Sequence, residues 1–403
     1  MMIAQTMSRL PSVLASSSLA SEDSGWMRFW FRNTQGTFAD GVDGVFFYIF
    51  WVSAIFFAIL MGLMVYFGLK YRRIEGKPAE PSASHNTMLE LSWSVIPTIL
   101  MAIMFVWGFK EYIVMRVAPG DAMEVYVTAK KWNWNLEYPN GAGSLETVSK
   151  SVEGRVLAGI DAPVFVLPVN KPIKFIMTSE DVIHSFYIPS LRMKRDVFPN
   201  RYTTLWCEPT EITHKWDPEK KHGVPVTANG KGLYLFCAEY CGDQHSQMLA
   251  EVQIMSDGDF RAWMAEQANT DAIDKYTLGQ ILYKTAGCVA CHSVDGSAGT
   301  GPTWKGIWDD ARPGWKPQPG DAAVEDNRAV VGLNYIRESI MNPGAYLREG
   351  FANQMPTYQG KFKNREIEAI ALYIKSLDPD FTDEAKSESE AEMAAKEQES
   401  GGE

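Results

Sequence analysis

Cysteine and surplus positive charge are what this chain most lacks. Five cysteines in 403 residues are too few for a disulfide scaffold. With 38 Lys and Arg against 49 Asp and Glu, the net charge is −11 at pH 7, which argues against nucleic acid as a partner. No internal repeat is present. Hydrophobic residues make up 46% and charged residues 22%, so global disorder and collagen-like architectures are excluded. The acidity is uneven: nine acidic residues and two lysines fall between Asp380 and Glu403, leaving the rest nearly balanced. At roughly 150 residues per domain, the length suggests two or three units.

What the chain has is a pair of long uncharged runs. Val45 to Leu69 and Leu91 to Phe109 are each long enough to cross a hydrocarbon core of ~30 Å as a helix. Both are apolar around the whole circumference, unlike helices buried on one side of a soluble core. Pro97 in the second run is tolerated when neighbouring helices re-satisfy the backbone. Between the runs lie Lys70, Arg72, Arg73 and Lys77, a basic loop that marks the cytoplasmic side. Both termini then face the other side, and residues from about 116 onward are extracytoplasmic. The weakly apolar, serine-rich stretch Leu10 to Leu19 reads as an ordinary tail rather than a signal peptide.

Beyond residue 116 the pattern changes to short alternating runs, among them 124–127, 163–167, 173–176 and 233–236. Met248, Ala250, Val252 and Ile254 share one face of a further strand. Such runs, separated by Gly, Pro and Asn turns, suggest an antiparallel sandwich or barrel. From Lys275 the period becomes helical, with an apolar stripe of Ile367, Ile370, Ala371, Ile374 and Leu377 near the end. The expected organisation is a tail over 1–43, a transmembrane hairpin over 44–115 and an all-β domain over 116–266. A polar linker over 267–274, an all-α domain over 275–379 and a disordered acidic tail over 380–403 follow.

Two clusters carry chemistry. The loop from Cys237 to Met248 reads C-x-x-x-C-x-x-x-H-x-x-M, with Cys241 and His245 between its ends. Thiolates, an imidazole and a thioether are soft ligands suited to copper, and His184 lies one strand and loop upstream. A blue-copper centre needs one cysteine, so the second favours a binuclear site. Zinc is the competing reading, although Met is a poor zinc ligand. Cys288-Val289-Ala290-Cys291-His292 is a C-x-x-C-H motif, the signature of covalent haem attachment with the imidazole as an axial ligand. Cys207 is left over as a buried apolar residue of a strand. His214 and His222 flank what reads as a solvated loop insertion.

These residues resemble subunit II of the haem–copper cytochrome c oxidases, over about residues 40 to 265, and a class I cytochrome c over about 275–379. The first resemblance implies a two-helix anchor followed by a cupredoxin domain with the binuclear copper site CuA. Cys237 and Cys241 would bridge, His184 and Met248 would complete one copper, and His245 with the Glu239 carbonyl the other. The Glu239 carboxylate would contact a magnesium or manganese ion shared with subunit I. Glu90 looks like the glutamate at a proton-pathway mouth, or else a helix-start carboxylate. Trp132 looks like the electron-accepting tryptophan, or else cupredoxin packing. The second resemblance implies Met355 as sixth haem ligand, with Met341 its rival, and the Pro302 carbonyl orienting His292.

Together they imply the electron-input subunit of a caa-type oxidase in the bacterial inner membrane. Its soluble domains would be periplasmic, passing electrons from haem c to CuA and on to subunit I. The implied partners are subunit I, other oxidase subunits and the lipid membrane. The upstream donor is cytochrome c or a quinol-oxidising complex. A CuA-containing nitric oxide reductase and a stand-alone tethered redox carrier are the alternatives.

Overall fold

Two long helices open the computed structural model, which describes residues 35–78, 84–152, 155–226, 233–309, 315–317, 331–348 and 350–400. The tail stretch Leu10 to Leu19 lies outside them. Helix α1 spans Ala39–Lys70 and α2 spans Thr87–Arg116. Large side chains such as Phe57, Leu69, Phe105 and Val106 are exposed on them, and both helices are long and apolar enough to cross a membrane. The Tyr48 hydroxyl donates to the Leu100 carbonyl at 3.0 Å and joins the pair. Helix α2 begins on a reciprocal cap. Asn86 Oδ1 accepts the Leu89 N–H at 3.1 Å, and the Glu90 carboxylate accepts the Asn86 N–H at 3.1 Å.

The hairpin end remote from the basic loop is fastened to a β domain. Arg192 pairs with Asp43 through two nitrogens, at 2.7 and 2.9 Å, a geometry that fixes orientation as well as distance. The Trp206 indole donates to the Val114 carbonyl at 3.0 Å.

That domain holds a four-stranded sheet and a six-stranded sheet. The first runs β2 (Asn133–Glu137), β1 (Met123–Lys130), β5 (Ile173–Ser179), β8 (Thr203–Cys207). The second runs β3 (Thr147–Val152), β4 (Arg155–Pro168), β12 (Leu249–Met255), β11 (Leu233–Cys237), β6 (His184–Ile188), β7 (Met193–Val197). The sheets are mixed, not purely antiparallel: β1 runs parallel to β5, and β12 parallel to β4. Period-two alternation buries Ile173, Phe175 and Met177 on β5, and Leu233, Leu235 and Cys237 on β11. The first loop cysteine therefore faces inward as the last core residue of its strand. Strand β12 departs from simple alternation, because both its faces are covered and even Gln253 is buried.

The segment around His214 and His222 is a paired hairpin, β9 (His214–Asp217) with β10 (His222–Pro225), whose connecting turn from Pro218 to Lys221 is exposed. Thr213 N–H donates to the Ile254 carbonyl at 2.9 Å and holds it on β12. His214 is 2% exposed.

Helix α3 (Asp257–Ala268) closes the β domain, burying Phe260 and Trp263. The helical domain then packs α4 (Lys275–Thr285), α5 (Leu333–Met341) and α6 (Asn364–Ser376), with a small sheet of β13 (Trp315–Pro317) and β14 (Tyr346–Arg348). Leu278, Leu282, Ile367, Ile370 and Ile374 form its core. Gly279 permits the close crossing of α4 over α6: a Cβ there would sit 2.1 Å from the Ala369 carbonyl oxygen.

One further expectation changes here. Instead of a disordered tail, residues Thr382–Ser400 form a helix, α7. Composition argued for solvation, but Ala385 and Ser389 are small enough to pack closely and are buried. Around them Lys375 reaches Glu384 and Glu388 at 2.8 and 2.5 Å, and Arg365 reaches Glu392 at 3.2 Å. The polar linker 267–274 is itself fastened to both domains. Arg365 donates to the Thr270 and Ile273 carbonyls at 2.6 and 2.5 Å, and Gln267 Oε1 accepts the Leu145 N–H at 2.6 Å.

Candidate metal centre and haem pocket

Strand β6 begins at His184, β11 ends at Cys237, and the loop between β11 and β12 supplies the remaining donors. Cys237 Sγ lies 3.8 Å from Cys241 Sγ, 3.8 Å from His184 Nδ1 and 3.2 Å from the Glu239 carbonyl oxygen. Cys241 Sγ lies 3.4 Å from His245 Nδ1 and 3.9 Å from Met248 Sδ. Two thiols thus stand at the centre, with His184 and the Glu239 carbonyl beside one, and His245 and Met248 beside the other. His184, Cys237, Cys241 and Met248 are buried. Among the described residues, His184, Cys237 and Cys241 form the cluster able to hold a metal ion.

The electrostatics suit a cation. The hydrogen bond from Cys241 pulls the Cys237 thiol down to about 4, while the Cys241 thiol is pushed up by the same bond. Without metal the pair therefore shares one proton, which a bound metal would displace. Burial works to lower the His184 imidazole, but its hydrogen bonds to Asp181 and Cys237 outweigh it and leave it raised. Asp181 Oδ1 holds His184 Nε2 at 2.8 Å, which turns Nδ1 towards the sulfurs. Sequence reading had passed over Asp181, although it stands three residues before His184. The donors are soft or neutral and gather around two thiols, with His184, Cys237, Cys241 and Met248 buried, so copper fits them.

In the helical domain, a large apolar pocket is lined by Cys288, Cys291, His292, Pro302, Met355 and Tyr358 among others. His292 Nδ1 donates to the Pro302 carbonyl at 2.7 Å, which leaves Nε2 free to ligate. Burial lowers the imidazole, against the Pro302 bond, so the ring is neutral as an iron ligand must be. Met355 lines the pocket, whereas Met341 packs at the margin of the core outside it. The cysteine pair, the fixed imidazole and the thioether fit a covalent haem.

The two domains are in contact. Asn133 Nδ2 donates to the Thr285 carbonyl at 2.8 Å, and Glu180 pairs with Lys361. Gly287, with a positive φ of 83°, lets the haem-attachment turn approach; a Cβ there would sit 2.8 Å from Asn133 Cβ. Lys130 is 4% exposed, and its ammonium lies 3.7 Å from the Tyr358 ring centroid. Trp132 is 6% exposed and donates its indole N–H to the Cys241 carbonyl at 3.1 Å. An external donor therefore has almost no access to it. Glu90 lies at the start of α2, away from both clusters, in the cap described above.

The fold and site define a membrane-anchored electron-transfer protein with a soft-donor metal loop and a haem-attachment domain. The profile "Cytochrome C oxidase subunit II, periplasmic domain" matches residues 123–255, its transmembrane-domain counterpart matches 24–110, and "Cytochrome c" matches 276–378. The two subunit II profiles together span more than half of the chain. It belongs to the cytochrome c oxidase subunit II family, with a cytochrome c domain at its C-terminal side. Cytochrome c oxidase subunit 2 of Alkalihalophilus pseudofirmus is 26% identical over 340 residues, covering 81% of this chain and 82% of the relative. The alternative cytochrome c oxidase subunit 2 of Bradyrhizobium diazoefficiens is 29% identical over 232 residues, covering 54% and 77%. Among solved structures, the periplasmic domain of cytochrome oxidase subunit II of Bradyrhizobium japonicum matches at 23% identity. It covers 38% of this chain and 96% of that one, with a TM-score of 0.30.

Proposed function

We propose that this chain takes electrons from an upstream donor at its haem domain and delivers them, through the copper loop, to an oxygen-reducing partner subunit. When bound, a haem at Cys288, Cys291, His292 and Met355 and a copper pair at His184, Cys237, Glu239, Cys241, His245 and Met248 supply one-electron carriers. The observation that carries the reading is that Ala290 and Cys291 of the haem-attachment turn pack against the hydrophobic cluster containing Cys237, Cys241 and Met248. Two carriers built into abutting surfaces need no diffusional encounter.

The residues divide the work. Asp181 and the Pro302 carbonyl orient imidazoles, and burial excludes water from the sulfur donors. The exposed Glu239 carboxylate stands outside the sulfur cluster, which suits a ligand to magnesium or manganese shared with subunit I. Its backbone carbonyl serves the copper. Trp132 braces the copper loop, and Glu90 caps α2 while standing at the membrane edge where a proton path into subunit I would open. The basic loop after α1 favours the cytoplasmic side, placing both redox domains in the periplasm of a bacterial inner membrane. The working units are the hairpin 44–115, the copper domain 116–266 and the haem domain 275–379.

Metal and haem analysis of the purified chain, separated from its partner subunits, tests this. Two coppers and one covalent haem per chain are expected. One copper with a blue-copper spectrum would overturn the binuclear centre.

A further inference from the structure

The haem-attachment turn and the copper loop meet at a polar contact that the relay has not yet used. Gln244 precedes His245 by one residue, and its side-chain amide donates to the carbonyl of Ala290, one residue before Cys291. Three further polar contacts between the domains among the described residues, Asn133–Thr285, Glu180–Lys361 and Lys130–Tyr358, involve none of the proposed ligands. The Trp132 indole N–H points to Cys241 inside its own domain. From His245 to Cys291 the connection therefore runs through covalent bonds interrupted by one hydrogen bond. A bonded path couples donor and acceptor more strongly than an open gap of the same length.

We infer that Gln244 is a positioning residue whose amide bridges the haem-attachment turn to the copper loop and sets the rate of electron transfer between them. The inference rests on the haem-to-copper relay proposed above. The electron lost by the haem iron is the one gained by the copper pair, and no proton crosses the amide. Gln244 is suited to this because a neutral amide adds no charge that would displace either potential.

The test uses the holoenzyme, with the haem reduced by a light or radiolysis pulse and the near-infrared band of the copper pair followed in time. Gln244→Met keeps length but has no donor; Gln244→Arg keeps a donor. Transfer should slow by about tenfold or more in Gln244→Met, with both midpoint potentials unchanged, and recover in Gln244→Arg once its rate is corrected for the shift that the added charge gives the copper potential. Asn133→Leu loosens docking away from the bridge, and amide exchange across 285–291 reports how far the turn has opened in each variant. An unchanged rate in Gln244→Met overturns the bridge. Equal slowing in Asn133→Leu, with equal opening, overturns it too, since Gln244 would then be one clamp among several. Absence of any transfer in the unmodified protein overturns the relay itself, a result distinguishable from the other two.

Discussion

Cys207, Cys237 and Cys241 are all buried thiols, and their neighbours separate them by function. Burial, with the Glu208 carboxylate adding to it, pushes the Cys207 thiol far up, and among the described residues no metal-ligating cluster includes it. Cys207→Ser should leave the mixed-valence copper signal intact, while Cys237→Ser or Cys241→Ser abolishes it, as read by paramagnetic resonance. In the haem pocket, Met355→His should keep the haem attached and lower its midpoint potential, because imidazole favours ferric iron more than a thioether does. An unchanged potential in spectroelectrochemical titration would move the sixth ligand to Met341. His214 gives a pH signature instead. Burial lowers its imidazole from the usual 6.5 to about 4, so the unfolded chain binds a proton that the folded one refuses. Stability is then greatest above 6.5 and falls as pH drops towards 4. His214→Gln should flatten that fall in denaturant midpoints of the copper domain; an unaltered slope would show that His214 is not its source.

Elements differ in how openly the sequence declares them. The two spans were legible because 25 and 19 uncharged residues leave a helix few alternatives, and the β domain because Ile173, Phe175 and Met177 alternate. Most of the copper donors were legible because one loop carries four side chains. His184, 53 residues from Cys237, stood out only as a histidine one strand and loop upstream, and its pairing with Met248 needed the family resemblance. Helix α7 was not legible, since its stability comes from partners far away in sequence: Ser389 donates to Asp274 at 2.9 Å and Lys396 to the Asp271 carbonyl at 3.1 Å. Composition reports average solvation, not which carboxylate meets which cation. Truncation after Pro379 would strip Lys375, whose side chain is 8% exposed, of both carboxylates. The haem domain should lose roughly 1–3 kcal/mol of stability in urea titrations, the upper part coming from an ammonium left without its carboxylates. No loss would mean the helix is a passenger on the domain.

At the scale of the whole molecule, the domain contacts convert a tethered carrier into a docked one. A loose linker would raise the effective concentration of haem near copper yet leave the copper face open part of the time. Here Arg365 and Gln267 fasten the connecting stretch, Asn133 and Lys361 hold the haem domain down, and Trp132 is left 6% exposed. The molecule also carries −11 overall, and α7 adds its acidic residues to the haem domain, so its surface charge favours basic donors. Added soluble cytochrome c should therefore reach copper only through the haem. Truncation after Ala268 keeps α3, and with it Phe260, Trp263 and Gln267 as core of the copper domain. It should yield an assembled, copper-loaded oxidase whose electron uptake from the native donor is severely slowed. Stopped-flow reduction of copper by the same reduced donor, in full-length and truncated enzyme, decides the matter. Equal rates would mean that electrons never needed the haem domain, and the order haem before copper would be wrong.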